Sequence, residues 1–292
     1  MGLDDLLIFQ TVLQEGGITR AANRLNRVQS NITTRIRQLE DDLGVALFLR
    51  EGKRLIPSAA GQLLGDYAQR LLTLADEARA AVTGRQPRGQ LRLGSMESTA
   101  AIHLAPVLAA FHARYPEVRL ELKTGASGPL LSSLLDGDFD GVLVCGPVTD
   151  PRLQATPVYC EELVVVAEKN HPPMHSAADA RAPSLLAFAP GCAYRHRLEA
   201  WLERSGVSTD RIVEMSSYHT MIGCAASGMG LALIPRRLLA CLPGAQAVSI
   251  HALPPDLAQA ETLLVRRHGL LAPAIDALTA LLLDDSAAEL AG

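Results

Sequence analysis

The chain has few cysteines and none of them is paired in sequence. The five (Cys145, Cys160, Cys192, Cys224 and Cys241) are widely spaced and contain no C-x-x-C. That excludes a disulfide framework and a zinc site of the usual spacing, and leaves reduced thiols as the expectation. Apolar runs break well short of the roughly 20 residues a membrane span requires. The opening MGLDDLLIF carries carboxylates where a secretory leader needs positive charge, so a cytoplasmic location and no membrane partner are expected. Catalytic signatures are missing as well: there is no G-x-S-x-G elbow, no G-x-x-x-x-G-K-S/T phosphate loop and no H-E-x-x-H, so neither enzyme activity nor a cofactor is expected. His171 and His175 in HPPMH stand four apart, but the intervening prolines break the helix that would align their rings, and no metal is assigned.

What is present is local asymmetry. The formal net charge is -4, yet GGITRAANRLNRVQSNITTRIRQL, from Gly16 to Leu39, carries five arginines (Arg20, Arg24, Arg27, Arg35 and Arg37) and no Asp or Glu. Any preference for an anionic partner rests on this stretch. Leu3, Leu6, Leu7, Phe9, Val12 and Leu13 recur at helical spacing, Gly16-Gly17 ends that helix, and Thr19 is read as capping the next. After a turn at Asn26-Arg27, a third helix from Gln29 has Ile32, Ile36, Leu39 and Leu43 on one face. Its opposite face holds Ser30, Thr34 and Arg37, flanked by Asn31 and Gln38.

Two short helices joined by a tight turn, the second presenting hydroxyls, amides and arginine, have the layout of a helix-turn-helix. Such side chains suit base edges and phosphates in a DNA groove. Gln29, Ser30, Asn31, Thr34 and Arg37 are the candidate base contacts. ALFLREGKRLIPS follows as a hairpin wing, with Arg50, Lys53 and Arg54 joining Arg35 as candidate phosphate contacts. Thr19, Arg20 and Thr33, on the same two helices, complete the DNA-contacting set. From Ser58 a helix of about 25 residues, roughly 38 Å long, runs to about Thr83. Leu64, Ala68, Leu71, Ala75, Ala78 and Val82 on it form a heptad seam, read as a dimerisation face.

The series F-x-x-V-x-x-x-G-G-I-T-R-A-A-x-R-L, Q-S-N-I-T-x-x-I-R-x-L-E-x-x-L-G-V-x-L-F-x-R and A-G-x-x-L resembles the amino-terminal domain of LysR-type transcriptional regulators, from Leu3 to about Ala80. Val28 stands where that family usually has serine. The resemblance implies a dimer of dimers, or a dimer, that binds an interrupted inverted repeat in double-stranded promoter DNA and meets RNA polymerase if it activates.

After the polar linker GRQPRGQ (84–90) the pattern changes. Strand-like runs at 90–93, 118–123, 141–144, 163–167, 185–188, 230–234 and 262–266 alternate with helical ones at 100–113, 129–135, 194–204, 218–226 and 272–283. That alternation argues for an α/β fold with mainly parallel sheets. Ligands in such folds sit beyond the carboxyl ends of strands, against helix amino termini. The rule selects Ser95, Met96, Glu97, Ser98 and Thr99; Thr124, Gly125 and Ser127; Cys145, Gly146 and Pro147; Cys192, Tyr194 and Arg195; and His219 and Thr220. This part resembles the family's effector-binding domain, two-lobed like type 2 periplasmic solute-binding proteins, with SGMGLALIP matching a frequent family segment.

The expected organisation is a winged helix-turn-helix (1–58), a linker helix and hinge (59–89) and an effector-binding α/β domain (90–292). Its lobe I is about 90–160 and 267–292 and its lobe II about 161–266, with crossings near Cys160 and Arg267. Arg195 is expected to hold an anion and Glu97 either an ammonium group or its own helix end. The effector is thus read as an organic acid or a zwitterion. Cys192, beside Arg195 and His196 at a helix start, suggests a lowered thiol pKa and a redox-sensing alternative. A solute-binding protein without DNA function is the other alternative.

Overall fold

The glycine pair at Gly16-Gly17 turns the chain between its first two helices, α1 (Leu3–Glu15) and α2 (Ile18–Arg24). Gly16 ends α1 in the left-handed region at φ 63, where a Cβ is disfavoured. Gly17, not Thr19, is the N-cap of α2. Thr19 falls inside the first turn because the helix starts as soon as the second glycine has reversed the chain. Asn26 (φ 51) makes the turn into α3 (Gln29–Leu43), whose N-cap, Val28, has no side chain able to accept a backbone N–H.

The wing strands β1 (Phe48–Glu51) and β2 (Arg54–Pro57) are antiparallel, and Glu40 on α3 accepts the N–H groups of Leu47 (2.8 Å) and Phe48 (3.1 Å) at the entry to the wing. Just ahead of α4 (Ala59–Thr83), the Ser58 hydroxyl accepts from Gly61 N–H at 3.0 Å. Leu6, Phe9, Val12, Ala21, Ile32, Ile36, Leu39, Leu47 and Ala68 bury the three-helix core.

The structure, a computed structural model, describes residues 1–51, 54–83, 87–180, 184–207, 211–269 and 272–291. They divide into two units, Met1–Gly89 and Gln90–Gly292. Among the described residues no helix is long and apolar enough to cross a membrane.

The heptad seam on α4 is divided by its packing. Ala68 is buried and Leu64 and Leu72 are half-buried in the unit's own core, because the first half of α4 lies on α1, where Gln10 donates to Gln69 at 3.1 Å. Leu71 and Ala78 of the seam are exposed, and the large apolar side chains left open on α4 among the described residues are Leu63, Tyr67, Leu71 and Leu74, a stripe at i, i+4, i+8 and i+11.

In the second unit, β3 (Gly89–Ser95) leads through α5 (Glu97–Thr99), a π-helical turn (Ala100–Leu104) and α6 (Ala105–Arg114) to β4 (Val118–Thr124). Then come α7 (Ser127–Asp136), β5 (Gly141–Cys145), the long β6 (Leu153–Glu168), β7 (Leu185–Ala187), α8 (Ala193–Arg204) and β8 (Ile212–Glu214). The chain continues with α9 (Tyr218–Ala226), β9 (Ala232–Pro235), α10 (Arg236–Cys241), β10 (Val248–Ala252), α11 (Pro255–Ala258), β11 (Gln259–Arg267) and α12 (Pro273–Ala291).

Two lobes share β6. Its first part, to Glu162, pairs with β11; its last part, from Leu163, pairs with β9 and β10. All of these pairings are antiparallel, as is β11 with β5, while β3–β5 and β7–β8 are parallel. The sheets are therefore mixed rather than mainly parallel, since a chain that crosses between lobes and returns must run both ways. The return comes at Gln259, where β11 starts, not near Arg267, because β11 is held between β5 and β6 along its length. At the crossing, His103 from the π-helical turn bonds Glu161 on β6, both buried.

One prediction follows from the join of wing and helix. A Cβ on Gly61 would lie 2.1 Å from the Leu47 carbonyl oxygen, a backbone atom that cannot swing away. Gly61→Ala is expected to lower stability by about 1–3 kcal/mol or more, read as a drop in the thermal unfolding midpoint; an unchanged midpoint would mean that α4 can shift off Leu47 without cost.

Candidate functional site

Five arginines gather near α3, but most are already bound within the fold. Arg27 donates to both carboxylate oxygens of Asp4 (3.0 and 2.7 Å), and Arg35 reaches Asp4 at 3.1 Å and Asp5 at 3.0 Å. Asp4 is held below the usual carboxylate range by the Arg27 hydrogen bond first and Arg35 next. Arg24 pairs with Glu15 at 2.6 Å, and Arg20 donates to the Glu15 carbonyl. The stretch lacks carboxylates in sequence but not in space. Arg35 is thus an ion-pair partner of α1 rather than an unengaged cation, and Arg37, exposed on α3, makes no ion pair among the described residues.

Gln29, Ser30, Asn31 and Thr34 lie exposed with Arg37, as the helical period requires, and Thr33 is half-buried with its hydroxyl on the Gln29 carbonyl at 3.0 Å. Thr19 and Arg20 are exposed on α2. Arg50 and Arg54 take backbone positions in β1 and β2; Lys53 lies outside the described residues.

The second unit holds a cavity of about 380 Å³, within the size range of small-molecule sites. Of the sequence-selected residues, Met96, Glu97, Ser98, Thr124, Gly125, Ser127, Cys192 and Tyr194 line it. These come from the ends of β3 and β4 and the starts of α5, α7 and α8. Three helices of more than two turns begin on its wall, α7 at Ser127, α8 after Cys192 and α9 at Tyr218. Across the wall, Gly128 N–H donates to the Gly191 carbonyl at 3.2 Å, joining residues of the two lobes.

The others do not line it. Ser95 is buried and its hydroxyl donates to the Met96 carbonyl, Thr99 is buried, and His219 and Thr220 are exposed on α9. Cys145 packs into the core shared by Met96 and Tyr194, and Gly146 N–H bonds the Glu261 carbonyl at 3.0 Å, drawing Cys145, Gly146 and Pro147 toward β11. Arg195 turns away: its Nε bonds Glu199 at 2.8 Å and a terminal nitrogen the Phe188 carbonyl at 3.3 Å. It is neutralised on its own helix and holds no anion in the cavity.

Glu97 does not cap its own helix either; its carboxylate accepts the Tyr218 N–H at the start of α9, while burial pushes its pKa up. Sequence reasoning missed Ala126, Phe188, Ala189, Glu214, Met215, Ser216 and Tyr218, which complete the lining. His219 and Thr220 at the start of α9 were selected, but β8 was not, and β8 carries the chain through Glu214 to the wall. Ile212-Val213 was the available sign of a strand.

The environment of Cys192 contradicts the lowered pKa expected from sequence. Its thiol is pushed up by burial, which outweighs the N–H groups of Arg195 and Tyr194 and the Arg195 charge. His171 lies edge-on to His251 at 5.4 Å, and no metal-holding cluster is found among the described residues.

With this geometry in view, comparison with known proteins is specific. Residues 3–62 match the family "Bacterial regulatory helix-turn-helix protein, lysR family" and residues 84–287 match "LysR substrate binding domain". The "HTH-type transcriptional regulator GltR" of Bacillus subtilis (strain 168) is 35% identical over 279 residues, 95% of this chain and 94% of that protein. "HTH-type transcriptional regulator YofA" of the same organism is 37% identical over 264 residues, 90% of this chain and 91% of that one. The solved structure of a Corynebacterium glutamicum OxyR C206 mutant superposes with a TM-score of 0.72 at 22% identity, covering 99% of this chain and 94% of that one, and supports the fold alone.

The thiol environments yield a prediction. Iodoacetamide at neutral pH should modify the exposed Cys241 and Cys160 well before Cys192, followed by peptide mass spectrometry. Modification of Cys192 first would show a thiolate stabilised at the α8 terminus.

Proposed function

The chain belongs to the LysR family of DNA-binding transcriptional regulators, which carry an effector-binding domain, and from that premise we propose which of its residues read DNA and what its cavity does. The observation that carries the reading is the outer face of α3. Gln29, Ser30, Asn31, Thr34 and Arg37 stand exposed on one side of a helix whose other side is buried as Ile32, Ile36 and Leu39. Amides and arginine pair bidentately with adenine and guanine edges, so these five are the base contacts. The wing residues Arg50, Lys53 and Arg54 supply phosphate contacts, with Thr19, Arg20 and Thr33 beside them; Arg35 contributes mainly by holding α3 to α1.

The open stripe Leu63, Tyr67, Leu71 and Leu74 pairs two copies, so that two α3 helices meet an interrupted inverted repeat. A further pairing makes a tetramer. In the second unit the cavity takes a small effector, and a ligand that binds one arrangement of the lobes better than another shifts the population toward it. The chain acts as a regulator, not an enzyme, and contacts RNA polymerase where it activates. The redox alternative loses its support at Cys192, where burial disfavours the thiolate.

Two substitutions test the division of roles. Arg37→Ala should cost about 1–3 kcal/mol on the specific site and relax preference at one base pair. Asp4→Asn, which removes the carboxylate paired with Arg27 and leaves Arg35 on Asp5, should instead strengthen binding to random DNA and steepen the dependence of log affinity on log salt by about 1. Fluorescence anisotropy over a salt series reads both; equal losses on specific and random DNA from Arg37→Ala would overturn its assignment.

A further inference from the structure

Resting on the reading of the cavity as the effector site, we propose that the effector carries an ammonium group and that Glu97 is the residue that selects it. Two carboxylates, Glu97 and Glu214, line the cavity, and no Lys, Arg or His does so among the described residues. Arg195 and Arg197 of α8 are directed away from the lining. Arg195 is bound to Glu199 and the Phe188 carbonyl. Arg197 is bound to the carbonyls of Leu257 (3.3 Å) and Gln259 (2.9 Å).

Glu97 is half-buried with no cation in the cavity lining; His219, exposed on α9, acts on it electrostatically, but less than burial does. Such a carboxylate is unfavourable unless hydrogen bonds or a charged ligand compensate. The Tyr218 N–H takes one of the roughly four lone-pair directions on Glu97, leaving acceptor capacity toward the cavity. Burial raises the pKa of this carboxyl, which an ammonium partner would reverse.

A second feature of the same wall is independent of charge. Ser98 and Tyr194, 2% and 3% exposed, line the cavity; the Ser98 hydroxyl lies close to those of Tyr194 and Tyr218, but neither Ser98 Oγ nor the Tyr194 hydroxyl has a partner in good hydrogen-bond geometry among the described residues. Buried hydroxyls without partners cost free energy, and a ligand that fills the cavity can satisfy them. An ammonium group brings three donors: one or two for Glu97 and one for the lone pair of a neighbouring hydroxyl. A plain carboxylic acid could accept from the hydroxyls but would meet Glu97 and Glu214 with like charge. Met96, Phe188 and Met215 give the carbon skeleton an apolar surface. Two kinds of ligand share this chemistry, a simple primary amine and an amino acid whose carboxylate would lie toward the start of α7 or α8.

Thermal unfolding and calorimetry of the full chain, with short straight-chain amines, the matching amino acids and the matching carboxylates (pentylamine, norvaline and valerate among them), test the proposal. Ammonium-bearing compounds are expected to bind and their plain carboxylates not to, with Glu97→Gln weakening the binding roughly tenfold or more. Preference for norvaline over pentylamine would assign the amino acid, and the reverse the amine. Binding of carboxylates alone, no binding by any ammonium compound, or undiminished binding in Glu97→Gln would overturn the proposal. Ala189→Trp, which puts a ring at the cavity mouth, separates the two claims. A carboxylate whose binding it abolishes leaves the cavity as the effector site but removes the ammonium; binding that survives it moves the effector site elsewhere.

Discussion

Strand β6 is hydrogen-bonded into two sheets in succession, and the geometry of the second unit follows from that. From Leu153 to Glu162 it lies against β11, and from Leu163 to Glu168 against β9 and β10. Both lobes are thereby fixed to one continuous backbone, while β11 begins on the second lobe's side of the crossing and ends beside β5. Helix starts from both lobes then face one another across a cavity. The core reflects the same join: Met96 and Cys145 from the first lobe pack with Leu163, Tyr194, Leu198 and Trp201 of the second. The buried His103–Glu161 pair sits at the crossing, where truncating one partner would leave a buried polar group unmatched.

Charge is managed in opposite ways in the two units. In the first, Asp4, Asp5 and Glu15 on α1 engage Arg24, Arg27 and Arg35, so the basic stretch supplies structure as well as surface, and Arg37 remains with uncharged polar neighbours on the outer face. Specific recognition by hydrogen bonds to bases is favoured by such a face, whereas indiscriminate attraction to phosphate is reduced. In the second unit the arginines near the cavity are bound and two carboxylates face it. The cavity is acidic with helix starts on its wall, a combination that suits a positive group at one end of a ligand and a negative one at the other.

Much of this was legible in the residues. The periods of α1 and α3, the wing and the alternation of strands and helices after residue 89 follow directly from spacing, and Met96, Glu97, Ser98, Thr124, Gly125, Ser127, Cys192 and Tyr194 were selected by the rule that places ligands at strand ends. Neighbours distant in sequence were not legible: nothing near Arg35 signals that Asp4 and Asp5 fold against it. Pro157 hid the first part of β6, because a proline interrupts a strand pattern; it sits by the register shift between Thr262 and Leu263, where a ladder donor can be dispensed with. β10, an edge strand reading VSIHA, alternates too briefly to stand out. The neutralisation of Arg195 could have been found, since Glu199 follows it at i+4 on a helix.

The α3 face, as proposed above, reads a particular DNA sequence. Binding of the full chain to the DNA flanking its own gene, compared with shuffled DNA of equal length across a salt series and mapped by footprinting, tests it most directly. Protection over an interrupted inverted repeat is expected, with an affinity for that DNA about a thousandfold or more above shuffled DNA. Equal, weak and equally salt-sensitive binding to both would contradict it and leave α3 with no sequence to read.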